Sequence, residues 1–294
     1  MAEGTARTEG TEPTEFAPPD RAPGGAEVLT PATNPFLAAL ARFSRGGRPA
    51  GGDAEAAVIA EIKMGSPRLG SLAGRVDPIA QARLYAEHGA AALSVVVEPD
   101  FFYGSYDLLA ACRAASGLPA IAKDFVVDAV QLRWARDAGA DAVLLIAALY
   151  EPEELAGYAR QARALGLAPL VETHDADDLA RLAGAPWELV GVNNRDLRTF
   201  AVDLERSLAL LPALPAGAVK VAESGIRDAL DVALLRDCGF DAFLVGESLL
   251  LAPDPGAKLR ELTGAGSAGR RPSGLAGRPS PPSGSAVPPG RREA

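Results

Sequence analysis

The chain has 294 residues, 48% of them hydrophobic, and a formal net charge of -9. That is enough apolar material for one large domain with a full core, which excludes disorder throughout. The acidic balance, with no basic cluster in the central region, excludes nucleic acid as the main partner, because phosphate-backbone binding draws on lysine and arginine density; a small-molecule ligand is expected instead.

In chain order, residues 1–33 are rich in Pro, Gly, Thr and Glu and lack apolar periodicity, so they are expected to be disordered. The opening MAEGTARTEGTEPTEF has no apolar stretch of the kind a signal peptide needs. Nowhere does an apolar run approach the roughly 20 residues of a membrane span. Cys112 and Cys238 stand far apart in helix-like surroundings, which indicates neither a disulfide framework nor a paired-cysteine metal site. A soluble protein of the reducing cytoplasm, with no membrane partner, is the expectation.

From residue 58 onward short β-branched runs alternate with longer helix-like segments. The runs are VIAEIK (58–63), ALSVVV (92–97), AIAKDF (120–125), AVLLIA (142–147), PLVET (169–173), VGVNN (190–194), VKVAES (219–224) and AFLVGE (242–247), eight candidate strands. Their spacing, on the order of 20 to 35 residues, leaves room for one helix each time. HGAAALSV, DAGADAVLLI and DCGFDAFLV each put a glycine between a helix-like segment and a strand, so Gly89, Gly139 and Gly239 read as helix C-terminal residues. Eight such units closing on themselves make a single α/β domain, a (β/α)₈ TIM barrel, over residues 34–263. A doubly wound open sheet is the rival, but no G-x-G-x-x-G follows the first run. Residues 264–294, rich in Gly, Pro, Ser and Arg, read as a second disordered tail, locally basic through Arg270, Arg271, Arg278, Arg291 and Arg292.

In such a barrel the catalytic mouth lies at the C-terminal ends of the strands. The polar residues cluster there: Glu61 and Lys63 on the first strand, Lys123 and Asp124 on the third, Glu172 on the fifth, Asn193, Asn194 and Arg195 on the sixth, Glu223 and Ser224 on the seventh, Gly246 and Glu247 on the eighth. Any one of them alone reads as a solvated loop residue. Lysines and glutamates converging on one partly desolvated mouth instead push their pKa values apart, leaving some groups as acids and others as bases. ESGI (223–226) and VGESLL (245–250) place small residues at strand-to-helix turns, where backbone N–H groups receive an anion such as phosphate. His88 and His174 have no partner at metal-ligand spacing. Asp175, Asp177 and Asp178 read as an acidic helix start rather than a cation site, so no metal is expected.

Taken together, AEIKMGSP (60–67), LSVVVEPDFFYGSYDLL (93–109), AKDFVVDAVQ (122–131), GADAVLLI (139–146), LVETHDADDL (170–179), GVNNRDLRTFAVDL (191–204), AESGI (222–226) and FLVGESLL (243–250) closely resemble the indole-3-glycerol phosphate synthase family of tryptophan biosynthesis. The resemblance implies a (β/α)₈-barrel lyase that closes the indole ring of 1-(2-carboxyphenylamino)-1-deoxyribulose 5-phosphate, with loss of carbon dioxide and water and without metal or organic cofactor. By motif, Lys123 resembles the general acid at the substrate ketone, Glu172 the later general base and Lys63 a second acid near the leaving hydroxyl. Glu61 holds the lysines, Asn193 and Arg195 orient the substrate and its carboxylate, and Glu223 and Ser224 line the far wall. Phosphate would rest on Ser224, Gly225, Gly246 and Glu247, Ser66 would touch substrate from the first loop, and Phe102 and Leu144 would line the pocket for the aromatic ring. The family's N-terminal segment includes a helix over the barrel mouth, for which this chain offers PFLAALARF (35–43). A monomer or weak homo-oligomer is expected.

Two other readings stay open on the residues alone. Lys123 at a strand end also suits Schiff-base chemistry, as in an aldolase-like barrel, if desolvation lowers its pKa. A barrel that keeps its phosphate site and acts only as a binding scaffold is the non-enzymatic alternative.

Overall fold

The computed structural model describes residues 27–43, 55–67, 70–196 and 199–264. Most of the two expected tails lies outside these ranges. Packing starts ahead of residue 34, however: the Leu29 N–H donates to Glu188 Oε1 at 2.9 Å, and a turn through Thr30 to Thr33 leads to Asn34.

Eight parallel strands close into a barrel: β1 (Ala57–Ile62), β2 (Ala92–Val96), β3 (Ala120–Lys123), β4 (Ala142–Ile146), β5 (Ala168–Thr173), β6 (Leu189–Asn193), β7 (Val219–Glu223) and β8 (Ala242–Val245). Each pairs with its neighbour in sequence, and β1 closes on β8 with Ala57 opposite Ala242 and Ala60 opposite Val245. The expected open-sheet rival is thereby set aside. Ten α-helices surround or close the barrel among the described residues: α1 (Pro35–Ala41), α2 (Pro78–Glu87), α3 (Tyr106–Ser116), α4 (Val130–Asp137), α5 (Pro152–Ala164), α6 (Ala176–Ala180), α7 (Glu205–Leu210), α8 (Ala229–Cys238), α9 (Glu247–Leu250) and α10 (Pro255–Thr263). A two-residue ladder, Gly65–Ser66 against Gly70–Ser71, folds the loop after β1.

Local chemistry sets the helix ends. Asn34, Asp77, Ser105, Asp175, Asp228 and Asp254 accept N–H bonds from the first turns of their helices, and prolines 35, 78, 152 and 255 stand where a missing N–H costs nothing. Gly89, Gly139 and Gly239 take φ of 91°, 84° and 131° as α2, α4 and α8 end, the left-handed side that favours glycine. No helix among the described residues is long and apolar enough to cross a membrane.

Strand side chains alternate between two cores, as the period of two requires. Val58, Ala60, Leu93, Val95, Val143, Leu145, Val190, Val192 and Phe243 face outward into the layer beneath the helices. Ala57, Ile59, Ala92, Ile121, Leu144, Leu170, Leu189, Val221 and Leu244 face inward. Five strands begin with an inward alanine, at 57, 92, 142, 168 and 242, which leaves the barrel floor open enough for α1 to enter. Phe36, Leu37 and Leu40 fill that space, 0%, 3% and 1% exposed. Asn34 fastens the plug, its Nδ2 donating to the Asp141 and Gly166 carbonyls at 2.8 and 3.0 Å, just ahead of β4 and β5. The helix expected over the mouth therefore seals the opposite end. Three such side chains bring about 1.5–3 kcal/mol each by burial.

Candidate active site

Continuing the inward alternation to the C-terminal rim changes its chemistry. The next inward positions are Glu61, Ser94, Lys123, Glu172, Asn193 and Glu223, and the paired strands hold them in register: Glu61 opposite Ser94, Asn193 opposite Glu223. Lys123 Nζ lies 3.3 Å from Glu172 Oε2 and 3.1 Å from Glu223 Oε2, across strands 49 and 100 residues distant in sequence. Lys63 Nζ reaches back to Glu61 Oε1 at 2.8 Å. Glycine makes room for two of the carboxylates: a Cβ on Gly191 would stand 2.1 Å from Glu223 Oε1, and one on Gly246 2.2 Å from Glu61 Oε1.

This packing separates the titrations. Burial pulls the Lys123 ammonium down, but the carboxylates of Glu223, Glu172 and Glu61 outweigh it and hold its pKa above the usual lysine range. Burial pushes Glu172 up, yet Lys123, the His174 imidazole and a hydrogen bond from Asn193 bring it well below the usual carboxylate range. Glu223 goes the other way: burial, with Glu172 adding to it, overcomes the pull of Lys123 and raises its pKa to about 8. Glu61 is lowered, since Lys63 and Lys123 more than offset its burial. The result is an ionised Glu172 beside a fully charged Lys123, with Glu223 holding a proton near neutrality: two carboxylates around one ammonium divided into a base and an acid. A lysine held as its ammonium is a proton donor and a poor amine nucleophile, which disfavours the Schiff-base reading.

The remaining expected residues take different places. Ser66 sits in the small ladder of the first loop. Phe102 is held on the loop after β2, where Glu98 accepts N–H bonds from Asp100, Phe101 and Phe102 at 2.8 to 3.0 Å, and its ring lies 6.3 Å from that of Phe125. Leu144 is 1% exposed in the inner core, opposite Leu170 and two residues below Ile146, which pairs with Glu172. It thus forms floor beneath the charged layer. Arg195 donates to Glu247 Oε2 at 2.9 Å, and its backbone N–H to Asn193 Oδ1 at 3.0 Å. Ser224 and Gly225 are consecutive left-handed residues, φ 65° and 80°, at the turn out of β7. For Ser224 that conformation carries strain of a kind that concentrates at functional turns.

Two rim residues are corrected. Asp124 follows Lys123 by one position and so faces away from the barrel interior, accepting from Tyr106 Oη and Gln131 Nε2, both at 2.8 Å. Asn194 is fully buried as a knot: its Nδ2 donates to the Glu223 and Ser224 carbonyls at 3.1 Å, and its Oδ1 accepts from Ser207. Both brace loops. Asp175 caps α6 as expected, but Asp178 is 5% exposed and accepts from His174, a pairing that sequence reasoning missed. Its signal was the four-residue spacing from His174 to Asp178, just past the strand that carries Glu172.

A closed parallel barrel whose C-terminal rim gathers two ammonium groups and three carboxyl groups places the chain among the (β/α)₈-barrel enzymes with an acid–base site. Comparison with known sequences narrows the class. The indole-3-glycerol phosphate synthase family model matches residues 41–262, and the chain belongs to that family, one of tryptophan biosynthesis. It is 45% identical over 235 residues to the indole-3-glycerol phosphate synthase of Dechloromonas aromatica, covering 80% of this chain and 87% of that one. To that of Albidiferax ferrireducens it is 46% identical over 242 residues, covering 82% and 88%. Among solved structures, 3-hexulose-6-phosphate synthase from Salmonella typhimurium superposes with a TM-score of 0.56 at 17% identity, covering 71% of this chain and 97% of that one, a likeness of fold alone.

Proposed function

We propose that the chain converts 1-(2-carboxyphenylamino)-1-deoxyribulose 5-phosphate to indole-3-glycerol phosphate, with loss of one carbon dioxide and one water. The observation that carries the reading is the Lys123 ammonium held 3.3 Å from an ionised Glu172. Lys123 gives its proton to the ketone oxygen as the ring carbon bearing the carboxylate attacks the carbonyl carbon. The carbon–carbon bond forms, the carboxylate leaves as carbon dioxide, and its bonding electrons return to the ring. Lys63 then protonates the departing hydroxyl, which leaves as water, while Glu172 removes the proton whose loss completes the indole. Each such transfer is worth about 10²–10⁴ in rate.

Binding follows the same rim. Glu61 holds Lys63, Asn193 and Arg195 orient the substrate carboxylate, and Ser66, Phe102 and Leu144 border the aromatic ring. The phosphate rests at Ser224, Gly225, Gly246 and Glu247, and Glu223 lines the wall opposite. The barrel itself, over residues 34–263, is the catalytic unit. Purified protein given the substrate should release indole-3-glycerol phosphate and carbon dioxide in equal amounts, followed by indole fluorescence and by mass. Absence of product, or a borohydride-trapped adduct on Lys123, would overturn the reading.

A further inference from the structure

His174 has no role in the steps above, yet it stands directly behind the base. It lies two residues beyond Glu172, past the end of β5, and its ring is 10% exposed. Nε2 is 3.3 Å from Glu172 Oε1, at ion-pair distance, and Nδ1 is 3.3 Å from Asp178 Oδ2. Asp178 is itself fixed: its N–H donates to Asp175 Oδ1 at 2.9 Å, and its Oδ2 accepts the His174 backbone N–H at 2.8 Å. A neutral imidazole carries a proton on one nitrogen only, whereas here both nitrogens face carboxylate oxygens, Nδ1 within hydrogen-bond reach of Asp178 and Nε2 at ion-pair distance from Glu172 without hydrogen-bond alignment, so the charged ring is the form both carboxylates favour. The groups facing it are Glu172 on β5 and Asp178 on α6, with Lys123 of β3 and Glu223 of β7 beyond Glu172.

Glu172 therefore has a cation at each oxygen, Lys123 hydrogen-bonded to Oε2 and the His174 ring at ion-pair distance from Oε1. The two cations behave differently during reaction. Lys123 gives up its proton to substrate and with it most of its hold. An imidazolium anchored from behind by Asp178 keeps its proton throughout and preserves both the orientation and the ionisation of Glu172 for the step that follows. We propose that His174 is a positioning residue, an Asp178-anchored cation that holds Glu172 ready as base. This rests on the reading of Glu172 given above.

The chain has two histidines, so imidazole ¹⁵N NMR on the full-length protein resolves them, with His88→Asn assigning the other, which lies at the end of α2. The ring of His174 should stay doubly protonated through neutral pH, consistent with its pKa being raised to about 9, where burial opposes but Asp178 and Glu172 prevail. In Asp178→Asn and in Glu172→Gln that titration should move back toward the ordinary histidine range. His174→Gln and Asp178→Asn should each lower kcat roughly 10-fold with KM little changed, less than the roughly 10²–10⁴ carried by the base itself. Both should also shift the acid limb of the kcat profile to higher pH, because Glu172 becomes easier to protonate. His174→Gln, which keeps an N–H donor, should retain more activity than His174→Ala. A residue that merely packs would lower the melting temperature and leave the acid limb in place. Ordinary titration of His174, or wild-type kcat and pH profile in both folded variants, would overturn the proposal, while a large kcat loss in Glu172→Gln would still uphold Glu172 as base. A wild-type protein that makes no indole product would overturn both.

Discussion

At the N-terminal end of the barrel interior, Phe36, Leu37 and Leu40 fill a floor of alanines; at the C-terminal end the same strands present Glu61, Lys123, Glu172 and Glu223. The lower layer gains stability from burial and satisfies its one polar plug residue, Asn34, with two carbonyls. The upper layer buries three carboxyl groups around Lys123, one of them also paired with Lys63, and leaves Glu223 Oε1 without a hydrogen-bond partner among the described residues. Buried charge in that number is weak as a stabilising device and strong as a chemical one. The difference teaches that one alternation of side chains, read upward, passes from what holds the barrel closed to what makes it react.

If the two layers are separable, changes in one should leave the other's observable alone. Glu172→Gln should lower kcat by about 10²–10⁴ with an unaltered circular dichroism spectrum. Phe36→Ala, at the floor, should cost about 3–5 kcal/mol of unfolding free energy by denaturant titration, with kcat little changed in the protein that remains folded. A matching loss of kcat would mean that plug and rim are coupled. Gly191→Ala places a Cβ where Glu223 Oε1 now lies and should displace that carboxylate, lowering kcat by roughly 10²-fold, more than it lowers the melting temperature. The smallest effect concerns pH. His174 has a folded pKa raised above its unfolded value, so its contribution is complete below about pH 6.5 and is lost as pH rises through about 9. The melting-temperature gap between wild type and His174→Gln should close across that window, and a gap that widened would reverse the sign.

Much of this was legible beforehand. Most of the strands are buried on both faces and so read as near-continuous apolar runs, with charge gathered mainly where the barrel opens, Lys220 near the start of β7 being an exception; hence Lys63, Lys123, Glu172 and Glu223 stood out by position. Facing was the harder matter. Asp124 and Asn194 look like members of the rim in a linear reading, yet each follows an inward residue by one and must turn away. The period of two already contained that answer. PFLAALA gave a helix but not its destination, because the space that receives it is made by five alanines spread over nearly 200 residues. His174 was weighed only as a metal ligand and Asp178 only as part of a helix start, because the contacts that join His174 to Asp178 and to Glu172 come from geometry that composition does not carry.

The central claim is that the Lys123 ammonium, held by Glu172 and Glu223, supplies the proton for ring closure. Its most direct test is kcat for Lys123→Ala on the carboxyphenylamino-deoxyribulose phosphate, measured beside its thermal unfolding. A folded variant with turnover reduced by about 10²–10⁴ or more is the predicted result; a folded variant that forms indole-3-glycerol phosphate at the wild-type rate would contradict it.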